Sequence, residues 1–87
     1  MENIIVAYIN PFIIRQHIFV LNDKADVIKE VVVDFDSAPN KIIELVKANN
    51  VKTIHLKGNM TFTQKIKERI SINKNFSAGN DIKIIIE

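Results

Sequence analysis

An α/β (α+β) domain on a five-stranded mixed sheet, with elements in the order β-β-β-α-β-α-β, is what this sequence predicts, and three observations carry it. Residues 3–35 contain three runs of strand character divided by turn residues. After Asp36, and again after Thr61, the apolar period changes from two to about 3.6, the repeat of a helix. Between those helical stretches lies VKTIHLKGN, residues 51–59, a strand-like run flanked by both.

The first strand is Asn3 to Ile9, uncharged and apolar at odd and even positions alike, as a central strand buried on both faces requires. Asn10-Pro11 ends it, because proline has no N–H for a ladder and asparagine tolerates turn geometry. The second strand is predicted from Ile13 to Leu21, with Ile14, Gln16, Ile18 and Val20 inward and Arg15, His17 and Phe19 outward. Residues 22–26, NDKAD, have the composition and length of a hairpin connection. The third strand runs from Val27 to Phe35 and sets Val27, Val31, Val33 and Phe35 against Glu30, Val32 and Asp34.

The first helix opens at Asp36-Ser37-Ala38-Pro39, where Asp36 or Ser37 can cap orphan N–H groups and Pro39 sits in the first turn. Ile42, Ile43, Leu45 and Val46 form its apolar stripe, and Asn49-Asn50 suits a left-handed end. In the strand that follows, Ile54 and Leu56 share one face and Val51, Thr53 and His55 the other. Thr61-Phe62-Thr63-Gln64 fits a capping box for the second helix, with Phe62, Ile66 and Ile70 as its buried stripe. A polar loop from Asn73 to Asp81, pinned by Phe76, leads to a last strand, Ile82 to Glu87, with Ile82, Ile84 and Ile86 inward.

Two strand orders fit these connections, 3-2-1-4-5 and 1-2-3-4-5. The first is favoured because the uncharged first strand then lies centrally, whereas at an edge it would invite aggregation. The Val31-Val32-Val33 run pulls the other way. In either order both crossovers step in one direction, and the right-handed rule places both helices on the same face. The opposite face stays open and displays Arg15, His17, Phe19, Glu30, Val32, Asp34, Thr53, His55, Lys83 and Ile85. Its mixture of polar and apolar groups suits a surface that meets a partner. The predicted contact set is Tyr8, Arg15, His17, Phe19, Val32, Thr53, His55 and Ile85, with Tyr8 either in the core or presenting its hydroxyl there.

Composition limits the chemistry. The 87 residues make one domain, 1–87, near the lower end of what folds on a single apolar core. Two Gly, two Pro and 47% hydrophobic residues exclude a disordered tail. The absence of Cys removes disulfides, thiolate metal sites and a cysteine nucleophile. A net charge of +2 falls short of a dedicated nucleic-acid binder. No apolar run approaches the roughly 20 residues that span a bilayer, and residues 1–9 lack the basic start and cleavage site of a signal peptide. A soluble, cytoplasmic protein without a membrane partner is the expectation, and the Ile, Lys and Asn content fits an AT-rich genome such as that of a phage, a mobile element or a low-GC bacterium.

With this order of elements, and with KIIELVKANN leading into VKTIHLKGN, the chain resembles the ribonuclease H-like superfamily, within it the Holliday-junction-resolvase-like branch. The likeness spans nearly the whole chain as topology and this one stretch as motif. It implies a catalytic carboxylate within the first strand and another near the end of the fourth, together holding divalent metal for phosphodiester hydrolysis. The matching positions here are Ala7, Tyr8 and Ile9, then Gly58 and Asn59, and none is a carboxylate. Nor does Asn10-Pro11-Phe12 supply the acidic, glycine-containing phosphate turn of the related actin-like ATPases. The resemblance thus implies a minimal, catalytically silent relative.

Other candidate sites have plainer readings beside them. Asp34 and Asp36 have the spacing of a metal or acid/base pair, but also of an outward strand residue followed by a helix cap. His17 and His55 share the open face about 10 Å apart, at ~4.8 Å per strand with one strand between them, and no further ligand for zinc is evident. Lys57, Lys65, Lys67, Arg69 and Lys74 give the second half a basic bias that could contact phosphates, and a solvated amphipathic helix looks the same. Gly58-Asn59-Met60 before a helix could receive an anion, or simply turn the chain. The expectation is a small non-enzymatic interaction or adaptor protein, with no cofactor or metal. It would bind itself or a protein partner through the open face or an edge strand. An accessory nucleic-acid-binding module is the alternative, and a divergent metal-dependent nuclease ranks below both.

Overall fold

The computed structural model of the chain describes residues 2–73, 76 and 82–87. Three strands come first, β1 (Asn3–Ile9), β2 (Gln16–Leu21) and β3 (Val27–Val33). They are followed by α1 (Ala38–Ala48), β4 (Val51–Gly58), α2 (Met60–Ser71) and β5 (Lys83–Ile86). One sheet contains all five strands in the order β3-β2-β1-β4-β5. β2 runs antiparallel to both β1 and β3, while β4 is parallel to both β1 and β5. The uncharged strand is therefore the central one, hydrogen-bonded on both sides.

Both helices cover one face. Ile5, Ala7 and Ile9 of β1, Ile18 and Val20 of β2, and Ile54 and Leu56 of β4 close against Ile42 and Leu45 of α1 and Ile66 and Ile70 of α2. Each buried aliphatic side chain here contributes about 1.5–3 kcal/mol relative to exposure, so this one layer holds the fold. Val31, Val33, Phe35, Phe62, Phe76, Ile82, Ile84 and Ile86 pack around its margin. Among the described residues no helix is long and apolar enough to cross a membrane.

The strand alternation departs from a strict period of two at two bulges, and each one moves a valine. Between Val20 and Leu21 the β2–β3 register shifts, so that Val20 faces Lys29 but Leu21 faces Val27. The extra residue reverses parity. Val27, expected on the helix side, instead joins Leu21 on the open face. A second shift lies where Asn3 pairs with Val51 and Ile4 with Thr53. It puts Val51 in the core, away from Thr53 and His55 with which simple alternation grouped it.

The helix starts also differ from their expected forms. The cap position of α1 is Ser37, but its hydroxyl makes no capping bond; the Ser37 N–H instead donates to Asp34 Oδ1 at 2.8 Å. α2 begins earlier than Thr61: Asn59 is its cap, with Oδ1 accepting the Thr61 N–H at 3.0 Å, so no Thr61/Gln64 box forms. Asparagine is as good a cap as threonine, and the chain uses the one nearest the strand end. Asn50 takes the expected left-handed conformation after α1, with φ 50°. Of the loop expected from Asn73 to Asp81, Lys74, Asn75 and residues 77–81 lie outside the described residues, while Phe76 packs on the core.

Candidate functional site

Three rows of side chains cross the open face, fixed by strand register. Val32, His17, Tyr8 and Lys57 make the first; Glu30, Phe19, Val6, His55 and Ile85 the second; Val27, Leu21, Ile4, Thr53 and Lys83 the third. Read across the sheet, the half over β3, β2 and β1 is aromatic and aliphatic. The half over β4 and β5 is charged.

In the apolar half Tyr8 meets Phe19 edge-to-face at 5.8 Å, and His17 stacks on Phe19 at 6.3 Å between ring centroids. Val6, Tyr8, His17, Phe19, Leu21 and Val27 line a shallow depression of about 570 Å³. The exposed aromatic body and polar tip of Tyr8 settle its position: it lies on this surface, 49% exposed, and not in the core. Val32 at the sheet edge is 43% exposed. Apolar groups held this far out of the core are what a protein-binding surface needs.

The charged half is tied down by Glu87. Its carboxylate accepts from His55 Nδ1 at 2.6 Å and faces Lys57 Nζ at 3.3 Å. The His55 bond, followed by Lys57, holds the Glu87 carboxyl below its ordinary value. Because a carboxylate only accepts, this contact needs an N–H at His55 Nδ1. His17 makes a looser contact of the same kind, Nδ1 to Glu30 Oε2 at 3.3 Å. The two histidines thus have separate carboxylate partners on either side of β1. Among the described residues no three His, Asp or Glu side chains converge to hold a metal ion.

At the end of the strands, the segment expected to extend the second strand is instead a projecting loop. Ile13, Ile14 and Arg15 precede β2, and Ile14 points to solvent, not inward. Gln16 explains why. Its side chain is fully buried; Oε1 accepts the Asn10 N–H at 2.5 Å, and Nε2 donates to the carbonyls of Asn10 at 2.8 Å and Ile13 at 2.9 Å. Asn10 Oδ1 also accepts the Phe12 N–H. The loop is bonded shut at its base, with Phe12 85% and Ile14 83% exposed at its tip. Arg15 therefore lies beyond the strand, in a crevice that it lines with Phe12, Ile13 and Asn59 and with Tyr8, His17 and Lys57 of the open face. Gly58 forms the other wall with φ 129°, and a Cβ there would collide with the Ile9 carbonyl oxygen, so the crevice needs glycine at this turn.

Of the contact residues expected on the open face, Tyr8, His17, Phe19, Val32, Thr53, His55 and Ile85 share it, and Arg15 stands at its end. The basic set does not assemble. Lys57 is on the open face, whereas Lys65 and Arg69 belong to α2 behind the sheet, Lys65 lying over the Phe62 ring at 5.3 Å and Arg69 facing Asp36 at 3.5 Å. Lys67 lies on the same helix, and Lys74 is outside the described residues. Asp34 and Asp36 have gone to different partners: Asp34 accepts from Ser37, which lowers its pKa below the ordinary value, and Asp36 pairs with Arg69. Sequence reasoning passed over Leu21 and Val27 in the depression and Phe12, Ile13 and Ile14 at the loop tip. The signal for the tip was Asn10-Pro11 followed by three large apolar residues, too close to the turn to be strand. No family model matches this chain, and no curated protein matches it either.

Proposed function

We propose that the chain is a small non-enzymatic interaction protein that binds itself or a protein partner through the open face of its sheet. The observation that carries this reading is the uncovered apolar half, where Tyr8, Phe19, Leu21, Val27 and Val32 stand on the side opposite both helices. A face of this kind is retained in a small domain when something else closes it. The strand order supports a catalytically silent relative of the ribonuclease H-like proteins, with Ala7, Tyr8 and Ile9 where the first carboxylate would stand and Gly58 and Asn59 where the second would. Its Ile-, Lys- and Asn-rich composition supports a cytoplasmic phage or mobile-element protein.

Sedimentation velocity across a concentration series tests the self-binding form. Phe19→Asp, on the open face and away from the helices, should reduce the mean mass of the associated species towards the monomer. An unchanged distribution for the variant would remove the open face as the contact surface. Of the basic set of the nucleic-acid alternative, Lys57 is the one on the open face, and it shares a crevice with Arg15, a cation from outside that set. A gel shift that weakens between about 50 and 200 mM salt would favour it.

A further inference from the structure

The molecule carries an apolar projection as well as an apolar hollow, and they lie in different places. Phe12, Ile13 and Ile14 are exposed on the β1–β2 loop at one end of the strands, with the Phe12 ring edge-on to Phe62 of α2 at 6.3 Å. The depression lined by Val6, Tyr8, His17, Phe19, Leu21 and Val27 lies on the open face and runs from the loop end, where Tyr8 and His17 also line the crevice beside Phe12 and Ile13, to the β2–β3 hairpin. We propose that the loop tip of one copy seats in the open-face depression of a second copy, giving a head-to-tail assembly of this chain. This rests on the proposed use of the open face and names its occupant.

Three observations favour a second copy. The hollow is shallow and apolar, with a volume of about 570 Å³, so it can receive a compact apolar group without enclosing it. The projection is preorganised: buried Gln16 bonds both ends of the loop, so little conformational entropy remains to be lost on docking. Charge is complementary as well. Arg15 flanks the tip, beside Lys57 whose Nζ faces Glu87, while Asp23 and Asp26, with Lys24 between them, lie in the hairpin that leads from Leu21 to Val27. In the head-to-tail form each pair keeps one free tip and one free hollow, so the assembly grows into rings or filaments, whereas reciprocal insertion about a two-fold axis would stop at two copies. One loop tip covers an area at the small end of protein interfaces, below roughly 1,200 Å² in total, so association depends on concentration.

The test uses two variants of the full chain. In the tip variant, Phe12→Ser and Ile14→Ser remove the projection; in the hollow variant, Val27→Glu and Tyr8→Ser spoil the receptor. All four positions are well exposed, and circular dichroism with a thermal melt checks that each variant folds; Ile14→Ser alone is the milder substitute. By light scattering, the unaltered chain should grow in mass with concentration, and each variant should remain at the 10.0 kDa monomer. An equimolar mixture of the two should double that mass and go no further, since one intact tip meets one intact hollow and both other ends are blocked. If the tip variant associates like the unaltered chain while the hollow variant does not, the proposal is overturned and the open face stands as the interface by another geometry. A mixture that remains monomeric while the unaltered chain associates overturns it too. A monomeric unaltered chain at every concentration overturns both this proposal and the self-binding form of the function, leaving a different protein as partner.

Discussion

The two faces of this sheet are cut from the same strands, residue by residue, and differ in what closes them. On β2, Ile18 and Val20 are sealed beneath the helices while His17, Phe19 and Leu21, their neighbours in sequence, line a shallow hollow. On β4, Ile54 and Leu56 are fully buried, and Thr53, His55 and Lys57 are left half-covered. The buried centre of the covered face is aliphatic, with Phe35, Phe62 and Phe76 at its margin, and the open face mixes rings, aliphatics and ion pairs. A buried polar group without a partner is costly, so the covered side excludes them, and its single large polar exception, Gln16, has its bonds filled by the loop. The open side can keep Glu87, His55 and Lys57 because water completes what they do not give one another. Stability resides on one side of the sheet, and the capacity for recognition resides on the other.

One substitution made on both faces exposes this difference most strongly. Ile54→Ala leaves a cavity in the closed layer and should cost about 2–5 kcal/mol. The same change at Ile85, on the open side of β5, removes only partly covered area and should cost about 1 kcal/mol or less. Urea denaturation midpoints compare them directly, and equal losses would mean that the open face is closed in solution.

Gln16 sits where the two regions meet, beneath the loop and at the edge of the core. Gln16→Ala strips partners from the Asn10 N–H and from two carbonyls, and should destabilise by about 1–3 kcal/mol. Amide hydrogen exchange should show faster exchange at Asn10, with the core strands unchanged apart from the global loss. Protection retained at Asn10 would show that another group holds the loop.

The smallest effect belongs to the charged half of the open face. The folded-state pKa of Glu87 is lowered by His55 and Lys57, so its contribution is complete above the ordinary value of 4.5 and disappears as the pH falls through the lowered one. Glu87→Gln should therefore reduce stability slightly near neutral pH and make no difference in acid, below the lowered value. Unfolding curves of both proteins at matched pH test this; a deficit that widens in acid would reverse the sign and count against the pairing.

Much of this was legible in the linear chain. The uncharged run from Asn3 to Ile9 marked the central strand, and the even positions Ile18 and Val20 marked the covered side. His17, Phe19, Val32, His55 and Ile85 were placed on the right surface by alternation alone, and Tyr8, open to either side in the sequence, lies there too. Val27 and Val51 were not, each displaced by a bulge that adds one residue to a strand. Ile14 fitted a strand pattern, yet it projects into solvent, because nothing in the pattern shows that Gln16 will turn back to bond Asn10. Lys57 and the α2 cations formed a basic cluster in sequence and lie on opposite sides of the sheet in space.

Element order, the covered face and the openness of its reverse were settled by the sequence itself, because periodicity and crossover handedness are properties of short segments and their succession. Tertiary structure alone decided the two bulges, the projection of Phe12 and Ile14, and the division of the open face into an apolar and a charged half. Each of these depends on which residue of a neighbouring strand stands opposite, and that pairing exists only once the strands have met.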